Sequence, residues 1–385
     1  MVMTYAKGPT MTCRVIPMSK QLKKHGLEFQ IFALSEHFRG GEETTRIDGE
    51  PVHVIGQAHF TTGPNGEKIR FGGLRYLQEV WKTFCRFTKR LRREHPDIVH
   101  VFTTDPGALF IAMGLRLQGF RVILDVDDST YGMGVMAGYP KPILWIQWLL
   151  ENSIPRTFRF LSGATFSRAR QYRGLTRLQI PVTTNGYQRN WAAGSQPLIR
   201  VIMVGNMAAI HLHMKVVEII PKIIHRNDRI RFCFIGTGER FPAVQRRAKE
   251  LGLTDALELT GYLPREQVIR KMCEADIGIC PMENNPFDRS RLPMKILEYM
   301  AAGLCVVSAP IGDIPNVIQH RKNGWLYRPG DMNDFAEGIV QLASEPDLIG
   351  RLAKQALEDV RQYDPSKIEK AWLHFYRKAG GWIQK

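Results

Sequence analysis

Short apolar, β-branched runs alternate with amphipathic stretches along almost all of the 385 residues, and this alternation limits the fold more than any other feature. Strands covered by helices on both faces read as continuous apolar runs, and strand–helix alternation argues for parallel sheets. In the first half the spacing predicts strands at Met1–Tyr5, Glu28–Leu34, Pro51–Ile55, Ile98–Phe102, Arg121–Asp125, Gly163–Phe166 and Ile180–Thr183. Helices are predicted between them at Thr12–His25, Leu74–His95, Gly107–Gln118 and Pro142–Glu151. In the second half the strands are Arg200–Val204, Ile230–Ile235, Leu257–Thr260, Ile277–Cys280, Cys305–Ser308 and Trp325–Tyr327, again separated by helical periods. A chain this long exceeds one ordinary core. The small, polar stretch NWAAGSQPLI, Asn190–Ile199, suits a linker. The expected architecture is therefore α/β, two doubly wound parallel-sheet domains. Ligands of such folds sit at the carboxyl ends of the strands, and a cleft between the domains is the default site.

Composition narrows the partners. At 44% hydrophobic and 23% charged, the chain reads as an ordinary globular protein. It has no apolar run of 18 residues to span a bilayer, and its start lacks the long apolar segment of a signal peptide. Six scattered cysteines without metal-motif spacing are expected to be buried, reduced thiols of a cytoplasmic protein. The net charge is +16, about +11 of it before residue 195. Such an excess points to an anionic partner: a membrane, a nucleic acid or a phosphorylated substrate. Nucleic acid is disfavoured because no recognisable module is present.

One stretch carries chemistry: SRLPMKILEYMAAGLCVVSAPIGDIPNVI, Ser290–Ile318. Pro293 suits a first helical position, and Ile296, Leu297, Met300 and Ala301 share one face. Gly303 fits the left-handed position that ends a helix. Glu298 is left pointing away from the apolar face near Lys295, either as a solvated i,i+3 pair or as a carboxylate beside a phosphate-binding helix N-terminus.

Around it lie Arg200–Asn206, Phe232–Gly238, Leu259–Glu266, Ala275–Pro281, Gly312–Val317 and Asn323–Asp331. In this order the segments resemble the nucleotide-sugar-binding domain of the group 1 glycosyltransferases, the retaining family-four type with the GT-B fold. LKKHGLEFQIF, PDIVHVF, RVILDVDD and VTTNGY extend the likeness more weakly into the first half. The resemblance implies an acceptor-side Rossmann-like domain over 1–190 and a linker over 191–199. A donor domain follows over 200–365, and a closing helix over 366–385 packs back on the first domain. It implies that Glu298 binds the ribose hydroxyls of the donor, while the backbone near Arg291 and Leu292 faces the diphosphate. Gly8, Asn206, Lys215, Gly236, Tyr262, Ser290 and Lys295 complete the donor set.

The sequence departs from the family pattern at three places. Ser290 stands where the first Glu of a Glu-x7-Glu motif is usual, with Asp288 or Glu283 as substitutes. Asn206 stands at the usual phosphate Arg, and Lys215 lies further along than usual, so Lys295 or Arg291 is expected to supply the cation. Asp127, flanked by Asp125 and Asp128, takes the place of a His in a "DvHD" run and is the candidate catalytic residue, as a partner for the developing oxocarbenium charge or for the acceptor hydroxyl. The competing reading for these acids is a helix cap or a structural ion pair. His100 reads as a core histidine, and Asp105 falls at a strand end.

The expected activity is transfer of a sugar from a UDP- or GDP-linked donor to a hydroxyl of a saccharide or lipid-linked acceptor, with retention and without metal or other cofactor. The basic amphipathic helix Tyr76–His95 and the aromatic run Pro142–Leu150 make an anionic membrane surface a candidate partner, with a cytoplasmic, peripheral location. The alternatives are a degenerate nucleotide-sugar-binding protein and another GT-B enzyme such as a nucleotide-sugar epimerase.

Overall fold

The computed structural model describes residues 1–5, 10–38, 40–41, 43–58, 60–62, 68–182, 187, 198–208 and 211–381. They form two compact units, Met1–Pro181 with Pro365–Lys385, and Val182–Asp364.

The first unit contains β1 (Val2–Tyr5), α1 (Ile16–Lys24), β2 (Ile31–Ser35), β3 (Glu43–Ile47), β4 (Glu50–Gln57), the small pair β5 (Phe60–Thr62) and β6 (Lys68–Arg70), and α2 (Gly73–Glu94). There follow β7 (Val99–Phe102), α3 (Pro106–Leu117), β8 (Val122–Asp125), α4 (Thr130–Met136), α5 (Lys141–Ser153), β9 (Phe160–Gly163), α6 (Phe166–Gln171) and β10 (Leu175–Arg177). Its main sheet runs β10-β9-β8-β7-β1-β2-β4-β3, parallel except for the β3–β4 hairpin. One π-helical turn, Thr10–Val15, leads from β1 into α1.

The second unit contains β11 (Ile199–Val204), α7 (His213–Arg226), β12 (Ile230–Ile235), α8 (Phe241–Glu250), β13 (Leu257–Leu259), α9 (Arg265–Glu274), β14 (Ile277–Cys280), α10 (Met294–Ala301), β15 (Cys305–Ser308), β16 (Trp325–Leu326), α11 (Met332–Ser344) and α12 (Pro346–Val360). Its wholly parallel sheet has the order β13-β12-β11-β14-β15-β16. The order reverses at β11, whose neighbours β12 and β14 mark the switch point where doubly wound sheets bind ligands. The last helix, α13 (Pro365–Gly380), belongs to the first unit, where Trp372, Phe375 and Tyr376 share a core cluster with Ile16, Met18 and Leu22 of α1.

Three readings of the sequence need correction. The strand expected at Gly163–Phe166 lies at Phe160–Gly163. The apolar character continues past Gly163, but the Thr165 hydroxyl accepts the Arg168 amide and starts α6 there instead. Ile180–Val182 form no strand, while Thr183, like most of the linker, lies outside the described residues. All six thiols are free, but only Cys305 is buried; Cys13, Cys233, Cys273 and Cys280 are partly exposed and Cys85 is exposed on α2. β3 was not legible because Glu43–Ile47 is polar and exposed, held by the hairpin to β4 and not by burial.

Candidate functional site

At the switch point of the second unit the strand ends crowd together. The Gly205 amide donates to the Ile235 carbonyl at 2.8 Å, and the Gly236 amide donates to the Gly261 carbonyl at 2.8 Å. Gly205 and Gly236 have φ of 154° and 132°, and any Cβ on Gly236 would overlap the Gly205 carbonyl. Only glycine tolerates such a backbone at such an approach.

Helix α10 is seated over these ends. Tyr299, fully buried, accepts the Val204 amide at 2.8 Å and packs on Gly278, where a Cβ would lie 2.5 Å from its ring. The helix ends as its sequence demands: Gly303 has φ 68°, and the Gly303 and Leu304 amides return to the Met300 and Tyr299 carbonyls. Pro293 sits at the N-cap in an extended conformation, one residue ahead of its expected place, and no side chain caps the helix. The first amides, Met294 and Lys295, therefore have no carbonyl a turn earlier to meet.

The candidate donor residues divide by what already holds them. Lys295 crosses Gly205, its Cε 2.7 Å from where a Cβ there would be, and it has no hydrogen-bond or ion-pair partner among the described residues. Glu298, one turn on, does not pair with Lys295; its carboxylate accepts from Arg265 of α9 at 3.3 Å and its side chain is 16% exposed. Arg291 is not a spare cation. It makes two hydrogen bonds, at 2.7 and 3.0 Å, to buried Asp288, and lies 4.3 Å from the centre of the Phe287 ring. Asp288 also accepts from the Glu283 amide and Asn285, so it organises the loop rather than facing a ligand. Lys215 is taken up by Glu283. The Ser290 hydroxyl donates to the Phe287 carbonyl at 2.8 Å, which closes a 3-10 turn. Leu292 is buried, Asn206 is exposed beside Gly238, and Tyr262 stands 78% exposed. Gly8 lies outside the described residues.

Two histidines join this site without having been singled out. His213, the first residue of α7, is 3% exposed, and neither ring nitrogen has a partner among the described residues. It lies edge-on to Phe234 at 5.7 Å and to His211 at 6.3 Å. Burial, helped by His211 and Lys295, lowers its pKa to about 3; burial, Arg291 and Lys295 lower that of His211 to about 4. Both are neutral at pH 7. The signal for them was a His-x-His pair opening an otherwise amphipathic helix.

In the first unit the acid run after β8 is built around Arg14, which sequence reading missed. Arg14 is a lone charge among the apolar residues of TMTCRVIPM, and it is buried. Its guanidinium donates twice to Asp125, at 2.8 Å each, and lies 3.6 Å from Asp127. Asp125 also accepts from Ser162 at 2.5 Å. His100 is a satisfied core histidine: its ring nitrogens meet Tyr376 at 2.5 Å and Ser162 at 3.0 Å. Asp105 caps α3 through the Gly107 and Ala108 amides. Asp127 is different. Its side chain is 26% exposed and, among the described residues, accepts one hydrogen bond, from Thr10 at 3.1 Å. Burial, offset by Arg14 and reinforced by Asp128 and Asp125, pushes its pKa up to about 6. Like Asp128 it is partly exposed, and with a pKa raised to about 6 it is suited to exchange a proton near neutrality.

Residues 199–345, the sheet around β11 and α10, match the family described as Glycosyl transferases group 1. This similarity lies within the second unit. Sequence relatives extend the match unevenly. The amylovoran biosynthesis glycosyltransferase AmsK of Erwinia amylovora is 32% identical over 120 residues, 31% of this chain and 30% of that enzyme. The N-acetyl-alpha-D-glucosaminyl L-malate synthase of Bacillus anthracis is 26% identical over 296 residues, 74% of this chain and 75% of that one. The whole fold is shared more widely. Sucrose-phosphate synthase from Thermosynechococcus elongatus superposes with a TM-score of 0.79 at 13% identity, covering 99% of both chains. Anabaena HepE, solved with UDP and glucose, does so with a TM-score of 0.69 at 14% identity, covering 98% of this chain and 99% of that one. The fold is GT-B, with two parallel-sheet α/β units, and the segment similar to the group 1 glycosyl transferases lies in the second.

Proposed function

We propose that this protein transfers a sugar from a nucleoside-diphosphate sugar to an acceptor hydroxyl, with retention of the anomeric configuration. The observation that carries this reading is Lys295, a cation without an ion partner among the described residues. It lies across the glycine-only approach at the switch point, beside the open N-terminus of α10 and one turn from Glu298. An ammonium and free helix amides suit a diphosphate. A carboxylate at the distance of one turn suits a pair of ribose hydroxyls. The bond from the sugar C1 to the diphosphate oxygen breaks, the bond from C1 to the acceptor oxygen forms, and the acceptor proton leaves. Lys295 and the α10 amides stabilise the charge gathering on the leaving diphosphate. Asp127, ionised above about pH 6, is the candidate partner for the developing positive charge or for the acceptor hydroxyl.

HepE, which holds UDP and glucose, supports a UDP-linked donor, and a GDP-linked one remains within the proposal. The relatives that make amylovoran and a glucosaminyl malate support a saccharide or small-molecule acceptor. A lipid-linked acceptor would put the enzyme at a membrane. A degenerate, binding-only protein is the second reading, favoured by the loss of Ser290 and Arg291 to internal bonds. Incubation with each donor sugar, with and without short saccharide acceptors, separates them. Nucleoside diphosphate released together with a new glycoside supports transfer. Conversion of the donor alone makes the protein an epimerase, and binding without turnover makes it a binding protein.

A further inference from the structure

Among the described residues, ten of the eleven large apolar side chains left exposed lie on α2, α3 and α5 of the first unit; the eleventh is Tyr262. These helices form one surface. Trp81 of α2 and Phe110 of α3 have ring centres 6.3 Å apart, and α3 packs on both α2 and α5. Helix α5, KPILWIQWLLENS, is the extreme case: Glu151 is its one buried residue, and Trp145 is 62% exposed. A helix this apolar normally disappears into a core, so its exposure marks an interaction site.

The charge of the same helices says what covers it. α2, α3 and α5 carry nine Lys and Arg against three Asp and Glu, one of which is the buried Glu151. Going round α2 at 100° per residue, Leu74, Leu77 and Trp81 occupy one arc, and Arg75, Lys82, Arg86, Lys89 and Arg93 occupy the neighbouring one. Arg86, Lys89, Arg93 and Lys141 have no acidic partner among the described residues. A second copy would meet like with like, in a chain already at +16. An apolar surface rich in Trp and edged by unpaired cations matches a bilayer interface that carries negative headgroups.

We propose that α2, α3 and α5 form a docking face for an anionic phospholipid membrane, with Trp81, Trp145 and Trp148 entering the interface and the α2 cations meeting the headgroups. This places the first unit on a lipid surface whatever the donor, so it stands independently of the proposed transfer. No helix of the described residues is long and apolar enough to cross a membrane, which leaves surface docking as the mode.

Flotation of the full chain with vesicles tests it. Vesicles of phosphatidylcholine containing 30% phosphatidylglycerol should bind the protein at least tenfold more tightly than pure phosphatidylcholine, with the difference shrinking as salt rises. Trp145→Ser with Trp148→Ser should weaken binding to the anionic vesicles by tenfold or more. Arg86→Gln, Lys89→Gln and Arg93→Gln together should do so to a similar extent and flatten the salt dependence. All five positions are exposed, so an unchanged melting temperature certifies the variants. Failure to bind anionic vesicles overturns the proposal. So does binding that neither set of variants reduces, and so does a concentration-dependent dimer that the Trp variants abolish, since the face is then a contact between copies.

Discussion

Replacing Arg14 by Met tests how the acid run of the first unit is held. Arg14 and Asp125 are 8% and 0% exposed at the side chain and share two 2.8 Å hydrogen bonds. Removing the guanidinium leaves Asp125 buried with, among the described residues, only Ser162 within bonding distance and a neutral His100 at 3.9 Å. Breaking a buried pair in this way costs about 3–5 kcal/mol, because the remaining charge is uncompensated. In a unit of roughly 200 residues the unfolding entropy is about 0.4 kcal/mol/K, so the melting temperature of that unit should fall by about 8–12 °C. Asp125→Asn should cost less, since Arg14 keeps Asp127 at 3.6 Å. Arg14→Met combined with Asp125→Asn should recover about half of the single loss. Calorimetry at pH 7.5 reads all three. A fall under about 3 °C in Arg14→Met, or a double variant no better than the single, would refute the reasoning. Arg14 also holds the Asp127 pKa down, so its loss should move the acid limb of any pH–rate profile upward.

Three further outcomes follow from the two sites. Turnover by the native chain should rise with pH through about 6, since the raised Asp127 carboxyl ionises there, and Asp127→Asn should lose at least a hundredfold in kcat with little change in donor Kd; a flat profile from pH 5 to 8 would remove Asp127 from the chemistry. Lys295→Met should weaken nucleoside diphosphate binding 10- to 150-fold by calorimetric titration, the worth of about 1.5–3 kcal/mol for a charged hydrogen bond; a change under threefold would contradict its role. His213 is held neutral with a pKa near 3, below its unfolded value of 6.5. Its contribution to stability is therefore present above pH 6.5 and is lost as the pH falls toward 3. At pH 5.5 the loss is about 1.4 kcal/mol, and His213→Leu should flatten the acid side of the second unit's urea-unfolding stability curve.

The parallel sheets were legible because burial on both faces leaves an apolar run that nothing else explains, as at Ile230–Ile235 and Cys305–Ser308. The hairpin strand Glu43–Ile47 was not, since its pairing is paid for by backbone hydrogen bonds while its side chains stay in water. At the site, local rules found Gly303 and the helix of Glu298. They failed for Arg291, Lys215 and Ser290, whose partners Asp288, Glu283 and the Phe287 carbonyl depend on how the loop before α10 folds. Arg14 and Asp125 are 111 residues apart, and only the neighbouring positions of β1, β7 and β8 in the sheet bring them together. Periodicity cannot report such a pair. The exposure of α5 was equally hidden, because its composition is that of a buried helix.

Lys295, the α10 N-terminus and Glu298 are proposed to bind the nucleotide of a sugar donor. The most direct measurement is the melting temperature of the native chain and of Glu298→Ala against a panel of UDP, GDP, ADP and CMP sugars. Binding to the native state at a hundred times Kd adds about 2.7 kcal/mol. One nucleotide series should therefore raise the melting temperature of the native chain by several degrees, and the rise should be lost in Glu298→Ala. No shift with any nucleotide at millimolar concentration, or a shift that Glu298→Ala leaves intact, would contradict the account.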